Sequence, residues 1–271
     1  NTDLHSDSPL NSRVFMSMNR RQFLTLAGLA GAAGLVPRSL RAIGDASRVT
    51  IAQLRYGGGG QDARPSALRR LLQEVEKRTS IAVNPDYPTV SPTDEAFFEH
   101  PFTTMTGESS FEPLSVESIK RVRTYLQSGG FLFVDSSEGI ADGPFYSSVE
   151  RMFGRIFPDR KLAAVSADHV LYKSFYLIDD PLGRVDIADE MTAIYDSDRL
   201  QAVVCQNDLL GALARDNFGN WKYTVRPGGE QQREMAFRLG INLVMYALCV
   251  NYKADQVHVP FILKRRKWKV D

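Results

Sequence analysis

From Val49 onward the chain alternates between short apolar runs, closed by glycine, proline or acidic residues, and longer segments with apolar positions at helical spacing. Val49 to Tyr56 reads as a first strand and Gly57 to Gly60 as the loop after it. Pro65 suits the first turn of a helix reaching about Arg78, with Leu68, Leu71, Leu72 and Val75 on one face. Ile81 to Val83 reads as a short second strand, followed by an irregular connection marked by Pro85, Pro88 and Pro92. Phe102 to Thr106 is a third strand. Ser115 caps a helix to about Gln127 whose buried face is Val116, Ile119, Val122 and Leu126.

Gly129 ends that helix and Phe131 to Val134 follows as a continuous apolar run, the pattern of a strand covered on both faces. An acidic, hydroxyl-rich loop comes next, Asp135-Ser136-Ser137-Glu138-Gly139. Further on, the pattern predicts a helix over Pro144 to Phe157, strands over Leu162 to Val165 and Leu200 to Cys205, and a last helix over about Gln231 to Val250. His258, between Val257 and Val259, is expected on the polar face of an edge strand, and His100 in a loop. Phe237 to Val250 is too short to span a bilayer and is interrupted by Arg238, Gly240 and Asn242. Strand and helix in alternation predict one α/β domain with a doubly wound, mostly parallel sheet, whose ligand crevice would lie at the carboxyl ends of the strands.

Composition changes this picture only at the ends of the chain. With 271 residues, 43% of them hydrophobic, there is material for a large core. Residues 1–46 carry Arg13, Arg20, Arg21, Arg38 and Arg41 against three aspartates, and the remainder is near neutral, which argues against nucleic-acid binding. Asn19-Arg20-Arg21-Gln22-Phe23-Leu24, the apolar run Leu24 to Val36 and a small-residue site near Ala46 resemble the twin-arginine export signal of bacteria. The expected layout is a leader plus removable signal over 1–46, an exported periplasmic domain over 47–271, and no stable transmembrane anchor. Lys264, Arg265, Arg266 and Lys267 make a basic tail suited to an acidic partner or an anionic membrane surface. Cys205 and Cys249 both sit in apolar runs and read as packing residues more readily than as a disulfide.

Several motifs together resemble the bacterial domain-of-unknown-function family 4159: Arg55-Tyr56-Gly57-Gly58, Gly129-Gly130-Phe131-Leu132-Phe133-Val134-Asp135, Asp168-His169, and the run Arg238 to Leu248. The resemblance covers nearly the whole exported domain. It implies a glutamine-amidotransferase-like, flavodoxin-related fold and no established reaction.

The chemistry of the residues narrows the choices. Glutaminase activity is excluded, because neither a Gly-x-Cys-x-Gly elbow nor a His-x-Glu pair is present. Phosphate binding by a P-loop or dinucleotide fingerprint is excluded by the spacing of the glycines, although Gly57, Gly58 and Gly59 remain candidates for ligand contact. A hydrolase would use Ser137 as nucleophile, His169 as base and Asp168 or Asp208 to orient it, with Gly139 relieving the turn after Ser137. Asp135, Glu138, His169 and Asp208 offer oxygen and imidazole groups, but none has a diagnostic metal-ligand spacing. No cofactor is implied. The expectation needing no missing residue is a binding or assembly module without catalysis, with Asp135 as its first site candidate; the catalytic alternative is a hydrolase using Ser137 and His169 or a metal-dependent site near Asp135 and His169, with Glu138, Asp168 and Asp208 as further ligand contacts.

Overall fold

The computed structural model describes residues 48–265, with side chains as far as residue 248. Residues 1–47, on which the export expectation rests, Arg266, Lys267 and the side chains of Cys249, Lys264 and Arg265 lie outside what is described. The elements are β1 (Ile51–Leu54), α1 (Ala67–Thr79), β2 (Thr89–Val90), β3 (Phe102–Gly107), α2 (Val116–Gln127), β4 (Phe131–Ser136), α3 (Pro144–Ile156), β5 (Ala163–Ala164), β6 (Thr192–Asp196), β7 (Arg199–Cys205), α4 (Leu209–Leu213) and α5 (Gly229–Arg265). They form one seven-stranded sheet in the order β2-β1-β3-β4-β7-β6-β5. β2, β1, β3, β4 and β7 run parallel, and β6 and β5 add an antiparallel edge.

Alternation along the strands divides the core in two. Phe131 and Phe133 of β4, with Val203 and Cys205 of β7, face a layer made by α1, α4 and α5. Leu132 and Val134, with Ala202 and Val204, face α2 and α3. Helices on both faces explain why β4 is apolar at every position until Asp135. Burying a side chain such as Phe133 contributes about 1.5–3 kcal/mol.

The helices follow their local chemistry. Leu68, Leu71, Leu72 and Val75 of α1 are all buried. The Ser115 hydroxyl accepts the Ser118 amide at 3.1 Å and starts α2. Ile119, Val122 and Leu126 are buried as expected, whereas Val116 is exposed and Tyr125 takes a core position instead. Val116 is the first residue of the helix, where the apolar stripe has not yet turned onto the sheet.

Four elements differ from the sequence expectation. Ile81 to Val83 makes only an isolated bridge, Val49 to Val83, and the paired edge strand is Thr89–Val90, aligned with Gln53 and Leu54. Pro85 and Pro88 lack the N–H that continuous pairing needs, so the chain leaves β1 and returns. β6 and α4 are additional elements. His258 falls inside α5, because a helix already nucleated at Gly229 extends at little cost per residue. Cys205 is buried with a free thiol. Among the described residues, no helix is long and apolar enough to cross a membrane.

Candidate functional site

The chain order reverses between β1 and β3: β2 lies on one side of β1, and β3 and β4 on the other. In open α/β sheets such a switch point opens a crevice beyond the carboxyl ends of the strands. Here the two loops that would flank it are joined. Glu108 and Ser109 donate their amides to the Gly59 carbonyl at 2.8 and 3.2 Å, and Gly58 forms an antiparallel bridge with Phe111. Tyr56 Oη donates to the Thr106 carbonyl at 2.7 Å. The turn needs glycine, since Gly57 to Gly60 all have positive φ, from 66° to 119°. Gly107 is equally constrained, because a Cβ there would lie 2.1 Å from the Phe145 ring.

Beside this seam, β4 and β7 bring Asp135 and Asp208 together. Both carboxylates are fully buried. Asp135 accepts the amides of Leu209 at 2.9 Å and Leu210 at 2.8 Å, one on each oxygen, and so caps α4 from the neighbouring strand. Burial, reinforced by repulsion from Asp208, pushes the Asp135 carboxyl up to about 8, against the pull of those amides and of Arg64. Asp208 has left-handed backbone, φ 50°, and accepts the Gly211 amide at 3.0 Å. Arg64 grips it bidentately, Nε to Oδ1 at 3.0 Å and Nη2 to Oδ2 at 2.7 Å, and Arg184 Nε donates to the same Oδ2. The guanidinium of Arg64 also donates to the Ser137 carbonyl at 3.1 Å and stacks 4.4 Å from the Tyr223 ring centre. With Arg64 6% and Asp208 0% exposed at the side chain, this is a buried ion pair whose loss would strand a charge.

Glu138 is likewise engaged. Its carboxylate accepts the amides of Phe145 at 2.8 Å and Tyr146 at 3.2 Å, with the Ser136 hydroxyl at 3.1 Å, supplying the amino terminus of α3 with the acceptor that Gly143 lacks. Ser137 donates its amide to the Gly107 carbonyl at 2.7 Å, while its hydroxyl is buried without a partner.

His169 is placed elsewhere. It packs on Tyr246 and Tyr195, with ring centres 5.6 and 6.3 Å away, and its Nδ1 accepts the Leu171 amide at 3.1 Å. Tyr246 accepts the Leu200 amide at the start of β7 and packs on Phe131 at the start of β4. Ser137 lies beyond the other end of β4, about 20 Å away at ~3.3 Å per strand residue. The pair is therefore not brought within proton-transfer reach. Burial lowers the imidazole below its ordinary value, opposed by Asp198 in the adjacent hairpin. Asp168 is exposed and pairs with Lys173 at 3.1 Å. Burial, followed by repulsion from Asp135, pushes the Cys205 thiol well up, so it is protonated and a poor nucleophile. Among the described residues, no three His, Cys, Asp or Glu side chains are grouped to hold a metal.

A family model matches residues 50–248, from β1 to well inside α5. The chain belongs to that family, domain of unknown function (DUF4159). A search of curated proteins gives no match. In this DUF4159 domain Asp208, beyond β7, gathers Arg64 and Arg184, and Arg64 in turn reaches the Ser137 carbonyl beyond β4 and stacks on Tyr223, partners that sequence spacing does not reveal. Arg64 lies 144 positions from Asp208, and nothing local marks the pairing. The one usable signal is Asp208 itself, an acid three residues after Cys205 ends β7 and immediately before the apolar segment Leu209 to Leu213.

Proposed function

We propose that this DUF4159 domain is an exported envelope module that binds or assembles without catalysis. The observation supporting this most strongly is the seam between the β1 and β3 loops, where backbone hydrogen bonds from Glu108 and Ser109 to Gly59 occupy the position of a strand-end crevice. The surrounding carboxylates agree with it. Asp135, Glu138 and Asp208 each accept backbone amides, a role that orders the helices they cap, and the Ser137 hydroxyl has no hydrogen-bond partner among the described residues. Export rests on the Arg20-Arg21 signal pattern, and the basic residues Lys264, Arg265, Arg266 and Lys267 give the module a contact for an acidic partner or membrane surface.

The test is labelling of the protein with a fluorophosphonate probe that reports activated serine. The expected result is no modification of Ser137 across pH 6–9. Stoichiometric labelling lost in both Ser137→Ala and His169→Ala would overturn the non-catalytic reading.

A further inference from the structure

A second charged surface uses none of the strand-end carboxylates. It is an open cleft of about 420 Å³ whose walls include Ser66, Arg69, Arg215, Asp216 and Lys222. Its shape is held by backbone: the Ser66 hydroxyl accepts the Arg215 amide at 3.0 Å and donates to the Arg215 carbonyl at 2.8 Å, and the Lys222 amide donates to the Ala214 carbonyl at 3.0 Å. The start of α1 and the segment from Arg215 to Lys222 are thereby tied together.

The charges in this cleft are poorly matched. Arg215 lies 3.8 Å from the Trp221 ring centre and donates Nη1 to the Gly219 carbonyl, yet its Nε is inaccessible and has no acceptor. Among the described residues, neither Arg215 nor Lys222 has a carboxylate partner. Arg69 pairs with Asp86 at 3.2 Å, but both side chains are more than half exposed, and such pairs contribute little in water. Among the described residues lining the cleft, Asp216 is the one acid, and it is turned into its own loop. Its Oδ1 accepts the amides of Phe218 at 2.9 Å and Asn220 at 2.8 Å, and its Oδ2 accepts Asn220 Nδ2 at 3.3 Å. Three cations therefore line a ligand-sized volume, Arg69 sharing only an exposed carboxylate, Arg215 stacked on Trp221 and Lys222 lying 5.4 Å from the Tyr223 ring centre.

We infer that this cleft binds a phosphate group. A phosphate group presents tetrahedrally arranged terminal oxygens to guanidinium and ammonium donors arriving from separate walls, three with more charge than a carboxylate in a monoester and two with a single charge in a phosphodiester headgroup. The field at the amino terminus of α1 adds to these charges without being required by them. Phe218, 91% exposed at the tip of the Asp216 turn, stands on the same loop and is the side chain that tells the two sources of phosphate apart. If the phosphate belongs to a lipid headgroup, Phe218 enters the interface beside it. With a soluble phosphate, Phe218 contributes nothing. This inference goes beyond the non-catalytic reading and stands on different residues.

The test titrates the full chain with inorganic phosphate at constant ionic strength, following backbone amide NMR shifts. In parallel, the protein is sedimented with vesicles of phosphatidylglycerol in phosphatidylcholine. The expected result is saturable binding localised to Ser66, Arg215 and Lys222. Lys222→Glu, at an unchanged melting temperature, weakens it about tenfold or more, the loss of one charge-assisted contact plus repulsion. Arg69→Glu weakens it in the same direction, and Lys120→Glu on α2, a distant charge reversal, leaves it unchanged. Vesicle binding lost in both Phe218→Ser and Lys222→Glu identifies a lipid headgroup. Phosphate binding indifferent to Phe218→Ser, without vesicle binding, identifies a soluble phosphate. Absence of both kinds of binding, or equal weakening by Lys120→Glu, would overturn the inference.

Discussion

Two regions of this molecule are built from the same residue types and behave oppositely. At the carboxyl ends of β4 and β7, Asp208 meets Arg64 and Arg184, while Asp135 and Glu138 cap α4 and α3. In the cleft beside α1, Arg215 and Lys222 have no carboxylate partner among the described residues, and the acid in its wall, Asp216, is tied up in a turn. What separates the regions is burial. A charge inside the sheet end must find partners or destabilise the fold, whereas a charge on an open wall is tolerated by water and remains available to a ligand. Position at a strand end is therefore a weaker guide to function than whether the group still has a bond to offer.

The comparison breaks most visibly at Asp208. Asp208→Ala leaves Arg64 buried without its carboxylate and should lower the unfolding free energy by about 3–5 kcal/mol, measured by denaturant titration. A smaller and pH-dependent effect is expected at Asp135. Its folded-state pKa is raised to about 8 from an ordinary value of 3.8. The protonated form is therefore the one the fold favours. Its contribution is complete below the ordinary carboxyl value and is lost as pH rises through about 8. Asp135→Asn keeps one acceptor and loses the other, at a cost of about 1–2 kcal/mol in acid. The gap to wild type should narrow between pH 4 and 9, and a constant gap would show that Asp135 is not held protonated. Glu138→Gln is the mildest change, about 0.5–1 kcal/mol by thermal unfolding, since it weakens one partly buried helix cap.

Legibility in the sequence followed the range of the interaction. The doubly wound arrangement was readable because apolar runs such as Phe131 to Val134 and stripes such as Leu68 to Val75 are local signals. Edge elements were not. β2 has two paired residues and β6 lies in an antiparallel hairpin whose Thr192 to Asp196 carries no clear alternation. At the candidate site, Asp135, Glu138 and Asp208 were legible as acids at strand ends, and their partners were not. Whether an acid there is a free base or a helix cap depends on the amides of Leu209, Leu210, Phe145 and Tyr146, which only the folded chain brings into place. Nothing local in the sequence separates His169 from Ser137, whereas the topology puts the two at opposite ends of β4.

The charges at the strand end hold the fold together. A double-mutant cycle on Arg64→Met and Asp208→Asn, read by denaturant unfolding, tests this directly, because asparagine retains the tolerance for positive φ at that position. The prediction is that each single change destabilises strongly and the double variant recovers a coupling energy of about 1.5–3 kcal/mol. Two single variants within about 0.5 kcal/mol of wild type, with no coupling, would contradict it and return these residues to candidacy for chemistry.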